Sequence, residues 1–194
     1  MPDNLNSSAR TELDDITRVI HLGLAVLGVL AWLTGLLAGD YQKLHHLRFS
    51  IHRWLGISAS LFIFFRLWWG FYGAREAQFS QWLPYTWDRL LAALEDLFTL
   101  VKLKLPDRPA HQGLAAVVQA FGLAVFSWMA LTGTLMFLFL EPGHKARGAL
   151  HALKELHEGG LWLVLIFLGL HVGAVTLHAL AGDHLWKRTF FLEK

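Results

Sequence analysis

Apolar positions run along this chain in stretches far longer than an amphipathic pattern needs. No Asp, Glu, Lys or Arg interrupts Val19–Gly39, Gly113–Leu140 or Gly159–Gly182, which are 21, 28 and 24 residues long. As helices rising ~1.5 Å per residue, all three cross a hydrocarbon core of ~30 Å. A fourth stretch, Phe49–Tyr72, holds Arg53 and Arg66 with twelve uncharged residues between them. The pattern predicts an all-α integral membrane four-helix bundle in a single domain, residues 1–194. Its helices are expected at about 16–39, 46–73, 112–140 and 157–182.

One segment alternates in a different way. In Trp82–Pro106, the residues Leu90, Leu91, Leu94, Leu97, Phe98 and Val101 recur at helical spacing, with Asp88, Arg89, Glu95, Asp96 and Lys102 opposite. This predicts an amphipathic helix over about 86–104, with Thr86 as N-cap and Pro106 as stop, lying along the membrane interface or packed on the end of the bundle. Glu141–Gly143 ends the third span, and a polar stretch carrying His144, His151 and His157 leads into the fourth.

Composition agrees with a membrane protein: 55% of residues are hydrophobic, 16% are charged, and the mean hydropathy is +0.41. Cysteine is absent, which excludes disulfides, thiolate-held iron–sulfur clusters and covalently attached c-type haem. The net charge of +2 comes without a basic stripe, so nucleic acid is not an expected partner. Tryptophans 54, 68, 69, 82, 87 and 186 fall near predicted helix ends, as an interfacial belt does. The first apolar run follows Asp14 and Asp15, lacks a small-residue cleavage site and exceeds a signal-peptide core, so it is expected to stay as a helix. Four crossings put both termini on the side with eleven of the seventeen Lys and Arg residues. That predicts that both termini are cytoplasmic.

The chemical signal is histidine, eleven in all. His21 lies inside the first predicted helix and His52 inside the second; His157 opens the fourth and His171 lies deep within it. An imidazole in hydrocarbon needs a partner, and a metal is a strong one. Fourteen residues separate His157 from His171, so they share a face about 21 Å apart. Alternating helix directions bring His171 to the depth of His21, and His157 to the depth of His52. Two pairs, His21–His171 and His52–His157, form the layout for two bis-histidine haems stacked through a bundle. A zinc or copper centre instead needs three or four ligands at one level. Arg66 shares a face with His52 fourteen residues earlier and reaches the other level, where it meets a haem propionate or snorkels to the interface. Arg18 and Arg53 have the same options at helix edges. Gln119, Ser127, Thr132 and Thr134 are expected to bond locally to backbone.

Ile51–Arg75, "IHRWLGISASLFIFFRLWWGFYGAR", resembles the second helix of the bacterial cytochrome b561 and hydrogenase b-type cytochrome family. "LHEGGLW" and "LGLHVGAV" resemble its paired-histidine fourth helix, and "ALTG" at Ala130–Gly133 its third. The resemblance runs from Ile16 to Phe191. It implies two non-covalent b haems with His21, His52, His157 and His171 as axial ligands; Arg53, Arg66 and Gly56 are expected beside the cofactor. It also implies electron traffic with quinone, and a periplasmic or membrane redox partner protein. Lipid is the surrounding partner, and a homodimer is compatible with it. His178, seven residues after His171, is placed to meet a quinone ring, a haem propionate or water. His45, His46, His144 and His151 are expected at the surface, where they would line a quinone or proton entry if they act at all. Small members of the family suggest a rival activity, superoxide oxidation with electrons passed to quinone. A funnel of Lys43, Arg48, Arg53, Lys145 and Lys154 would favour it. A transporter or metal-handling protein is a rival of another class, but it expects broken helices or mid-membrane carboxylates, and the four spans hold no such carboxylate.

Overall fold

The computed structural model describes residues 14–38, 47–106, 108, 111–141 and 143–192. Lys43, His45 and His46, and with them the expected first loop, lie outside the described residues.

Four helices are long and apolar enough to cross a membrane: α1 (Asp15–Leu36), α2 (Leu47–Tyr72), the third (Gly113–Phe139) and the fourth (Ala149–Leu180). Between α2 and the third span lies α3 (Trp87–Val101), so the third and fourth spans are α4 and α5 in chain order. A short α6 (Leu185–Thr189) follows. The described chain contains no strand.

Apolar side chains cover the outside. Leu61, Phe64, Leu131, Leu138, Trp162 and Ile166 are each more than half exposed. The buried positions are small or compact: Ala59, Ile63, Ala116, Val125, Thr132 and Val164. Lipid gives apolar side chains no reason to turn inward, so close packing of small residues joins the spans. Glycines supply the closest approaches: Gly23 faces the ring of Phe62, Gly28 that of Phe126 and Gly122 that of Phe167.

Three elements depart from the sequence reading. The α5 helix begins at Ala149, eight residues before the expected 157. The stretch read as a polar approach is itself helical. Ala, Leu, Lys and Glu are strong helix formers, and Lys154 pairs with Glu158 one turn on at 2.6 Å. His157 therefore sits two turns inside α5 rather than at its start, and His151 is helical too. The helical run of α1 stops at Leu36 rather than 39, and Leu24–Gly28 is a π-helical segment. Such segments cluster at functional sites; this one begins three residues after His21. Thr86 occupies the N-cap position of α3, but its side chain makes no capping bond.

The amphipathic helix α3 is anchored in a way its periodicity did not reveal. Its apolar residues Leu94, Leu97, Phe98 and Val101 remain exposed, whereas Asp96 is 4% exposed. Asp96 accepts from the backbone N–H of Leu114 at 2.9 Å and pairs with Arg108, which also meets Glu95. A carboxylate thus caps α4, where the helix dipole favours negative charge. Gly113 (φ 56°) lies against this carboxylate, and a Cβ there would collide with it. The expected packing on the bundle's end is what these bonds provide, and the apolar residues of α3 stay exposed on its other side.

Candidate functional site

The four histidines meet in twos. The ring centres of His21 and His171 are 6.2 Å apart, and those of His52 and His157 are 6.1 Å apart. Two imidazoles sharing one metal at ~2 Å each place their ring centres about 6 Å apart. No group of three or more His, Asp or Glu side chains able to hold a metal exists among the described residues.

At the second level, His52 and His157 are oriented by the protein itself. His52 Nδ1 is 2.9 Å from the carbonyl oxygen of Ala31 on α1. A carbonyl only accepts, so this Nδ1 carries the proton and the Nε2 lone pair is free. His157 Nδ1 lies 2.8 Å from the hydroxyl of Thr132, whose own proton goes to the carbonyl of Trp128, also at 2.8 Å. This again leaves Nε2 for a metal. Such outer bonds fix the tautomer and plane of a metal-ligating histidine. Gly35 and Gly133 lie edge-on to the two imidazoles, with 3.1 Å between a notional Cβ and each ring.

A cavity surrounds this pair, lined by Gly28, Gly35, Gly56, Phe126, Gly133 and Val164. Nothing lies within 4 Å of where a Gly56 side chain would begin. Arg53 lines the same space, its guanidinium 4.6 Å from the ring of Phe137. Lys154 and Glu158 close its edge as an ion pair. Trp32 spans the wall, its indole N–H donating to the carbonyl of Leu161 at 3.3 Å.

The first level is built differently. His171 stacks on Phe167 at 5.3 Å, and Phe190, from the segment after α6, stands edge-on to His21 at 5.5 Å. His21 Nδ1, Arg18 Nε and Arg66 Nη1 are all buried without a hydrogen-bond partner among the described residues. Arg66 lies 5.2 Å and 5.5 Å from the ring centres of Phe79 and Trp82, while Arg18 covers Phe191 at 3.8 Å and pairs with Asp15. Buried cationic donors without acceptors mark a place made for an anion.

Of the remaining sequence candidates, His178 lies half-buried in the last turn of α5 and has no side-chain contact to assign it a role. His144 and His151 are exposed, facing Glu141 and Glu155. Gln119 departs from its expected local bonding and holds His111 Nδ1 at 2.6 Å. Thr132 bonds locally as expected and also orients His157. Phe126, Phe167 and Phe190 escaped sequence reasoning, because a phenylalanine in an apolar run looks like any other lipid or core residue.

These features define a class: a membrane-spanning helical bundle in which four histidines face each other in two pairs, with buried cationic donors left without a partner among the described residues at one level. Residues 12–191 match the family model described as prokaryotic cytochrome b561, and the chain belongs to that family. It is a membrane b-type cytochrome of electron transfer that binds haem b. No curated protein and no solved structure matches the chain.

The residues fit such a group. Each pair presents nitrogen donors at the right separation, Gly56 leaves open space beside His52, and the arginines with unpartnered nitrogens at the first level suit carboxylates. Haem, when bound, supplies a one-electron iron couple. The chain supplies ligation, exclusion of water and charge.

Proposed function

We propose that this protein holds two b haems, one between His21 and His171 and one between His52 and His157. Through them it moves electrons across the bacterial inner membrane, between the quinone pool and a redox partner. The observation that carries this reading is the second histidine pair: two opposed centroid separations near 6 Å, at levels about 21 Å apart, make one site too few. Arg18 and Arg66 receive propionates at the first level, and Arg53 serves the second. Both termini lie on the cytoplasmic side, so the first level is the cytoplasmic one. Quinone exchanges electrons at one end, and a periplasmic protein or dehydrogenase subunit at the other.

The superoxide-oxidising alternative needs a free basic funnel. Lys154 is committed to Glu158 and also lies 3.4 Å from Glu155, which weakens that steering field.

The test is haem stoichiometry in detergent. A haem-to-protein ratio near two, with reduced-minus-oxidised spectra resolving two components, is the expected result. A ratio of one, or a single component removed by every histidine substitution, rejects the reading.

A further inference from the structure

The two levels are joined by an aromatic path that the ligand assignment does not use. Phe126 lines the cavity around His52 and His157. Its ring fits against Gly28, whose notional Cβ would stand 2.9 Å from the ring edge. Phe126 meets Phe167 edge to face, at 5.7 Å and 89°. Phe167 lies in the hollow of Gly122 and stacks on His171, 5.3 Å away and inclined by only 17°. Ring follows ring from the second cavity to a first-level histidine without an aliphatic break.

Neither phenylalanine needs this arrangement for solubility, since both sit in lipid-compatible helices. Each occupies a glycine hollow that a side chain at Gly28 or Gly122 would close. Glycine in a helix interior costs about 0.5–1 kcal/mol relative to Ala, so these hollows are maintained against helix propensity. Aromatic pairs prefer this edge-to-face geometry, and a stacked ring limits rotation of its neighbour.

We propose that Phe126 and Phe167 form a fixed bridge between the two redox sites, and that Phe167 is a positioning residue which sets the ring plane of His171. This rests on the di-haem reading. The bridge carries one electron with no proton and no change of ligand: the iron at one level is oxidised as the iron at the other is reduced. Its second role follows from coordination chemistry. The angle between two axial imidazoles governs the anisotropy of a ferric low-spin centre, and the planes stand 52° apart at the first level and 67° apart at the second. Freeing His171 from Phe167 alters the first angle alone.

The experiment uses Phe126→Leu and Phe167→Leu in the full chain, with the lipid-facing Phe64→Leu as control. Haem ratio and midpoint potentials are measured first. Electron paramagnetic resonance of the oxidised protein follows. The chain has no cysteine, so a single Leu192→Cys accepts a photoreducing label near the first level. Flash reduction then reads equilibration between the haems. Phe167→Leu is expected to move the largest g value of one haem, leave the other in place, and slow equilibration several-fold. Phe126→Leu is expected to slow equilibration similarly while leaving both spectra unchanged. Phe64→Leu should change neither. Two haems with unaltered spectra and rates in both bridge variants overturn the proposal and leave the di-haem reading standing. A ratio below two in the unsubstituted protein overturns the di-haem reading and the bridge with it. If leucine at either position lowers haem content, methionine there keeps volume without a ring and is read in its place.

Discussion

The two histidine levels solve one problem with opposite means. At the second level both Nδ1 atoms are held within the protein, by the Ala31 carbonyl at 2.9 Å and the Thr132 hydroxyl at 2.8 Å. At the first level His21 Nδ1, Arg18 Nε and Arg66 Nη1 have no hydrogen-bond partner among the described residues. Aromatic rings from α5 and the segment after α6 make its walls. A satisfied polar network rigidifies, whereas unsatisfied buried donors cost free energy until an acceptor arrives. The second pair is thus preorganised by hydrogen bonds, and under the proposed function the first is completed by what it binds.

The strongest way to break this comparison is to remove the histidines one at a time. His52→Ala and His157→Ala should each cut the haem-to-protein ratio from about two to about one and abolish the same spectral component. His21→Ala and His171→Ala should both abolish the other. Pairing of His52 with His171 in this assay would overturn the assignment of levels.

The next test separates the levels by charge. Arg66→Met removes a buried cation whose Nη1 has no hydrogen-bond partner among the described residues. The first-level haem should then titrate at a lower potential by tens of millivolts, because a nearby positive charge favours the reduced, less positive iron. The second-level haem should hold its potential. Equal shifts at both levels in a redox titration would show that Arg66 acts on the whole bundle.

A subtler change targets the second level. Thr132→Val keeps the shape of the side chain and removes the acceptor for His157 Nδ1. Loss of an outer-shell partner typically costs about 10–100-fold in metal affinity or activity. Haem retention on dilution should fall within that range at the second level only, with its potential raised as the ligand becomes less basic. The first level has no equivalent bond at His21 to lose. Unchanged retention would mean that the His157 plane is fixed by Gly133 packing rather than by the hydroxyl.

The levels differ in how far the sequence announced them. Three charge-free runs, and a fourth interrupted by only Arg53 and Arg66, make the four spans legible, because lipid permits no compromise on backbone satisfaction. Histidine spacing and helix direction suffice to pair His21 with His171 and His52 with His157. The outer shell stays hidden for a physical reason. Ala31 contributes a carbonyl, which every residue has, and Thr132 looks like a helix-interior threonine bonded to its own backbone. Asp96 reads as the polar side of an amphipathic helix, yet it is the buried cap of α4, since its partners Arg108 and Leu114 are 12 and 18 residues away. The early start of α5 stays hidden because the polar stretch ends the membrane span without ending the helix.

The smallest expected effect lies beside the first level, outside the spans. His111 has a positive φ of 69°, uncommon for a residue with a side chain, and Nδ1 at 2.6 Å from the Gln119 carboxamide oxygen. Burial lowers its pKa below the ordinary imidazole value; the Gln119 bond opposes this, and the positive charge of Arg66 adds to the lowering. The folded protein therefore favours neutral His111. Above about pH 6.5 the imidazole is neutral in both folded and unfolded chains and contributes no slope. As pH falls below that value the unfolded chain takes up the proton first, and stability declines through the folded pKa. His111→Gln removes this titration, so its thermal midpoint in detergent should fall less steeply on acidification than that of the unsubstituted protein, with the two slopes converging above neutrality. Arg66→Met should shorten the same acid limb, because removing a repelling charge brings the folded pKa of His111 closer to its unfolded value while the onset stays fixed. Parallel acid limbs in all three proteins would exclude His111 as the group that senses the first level's charge.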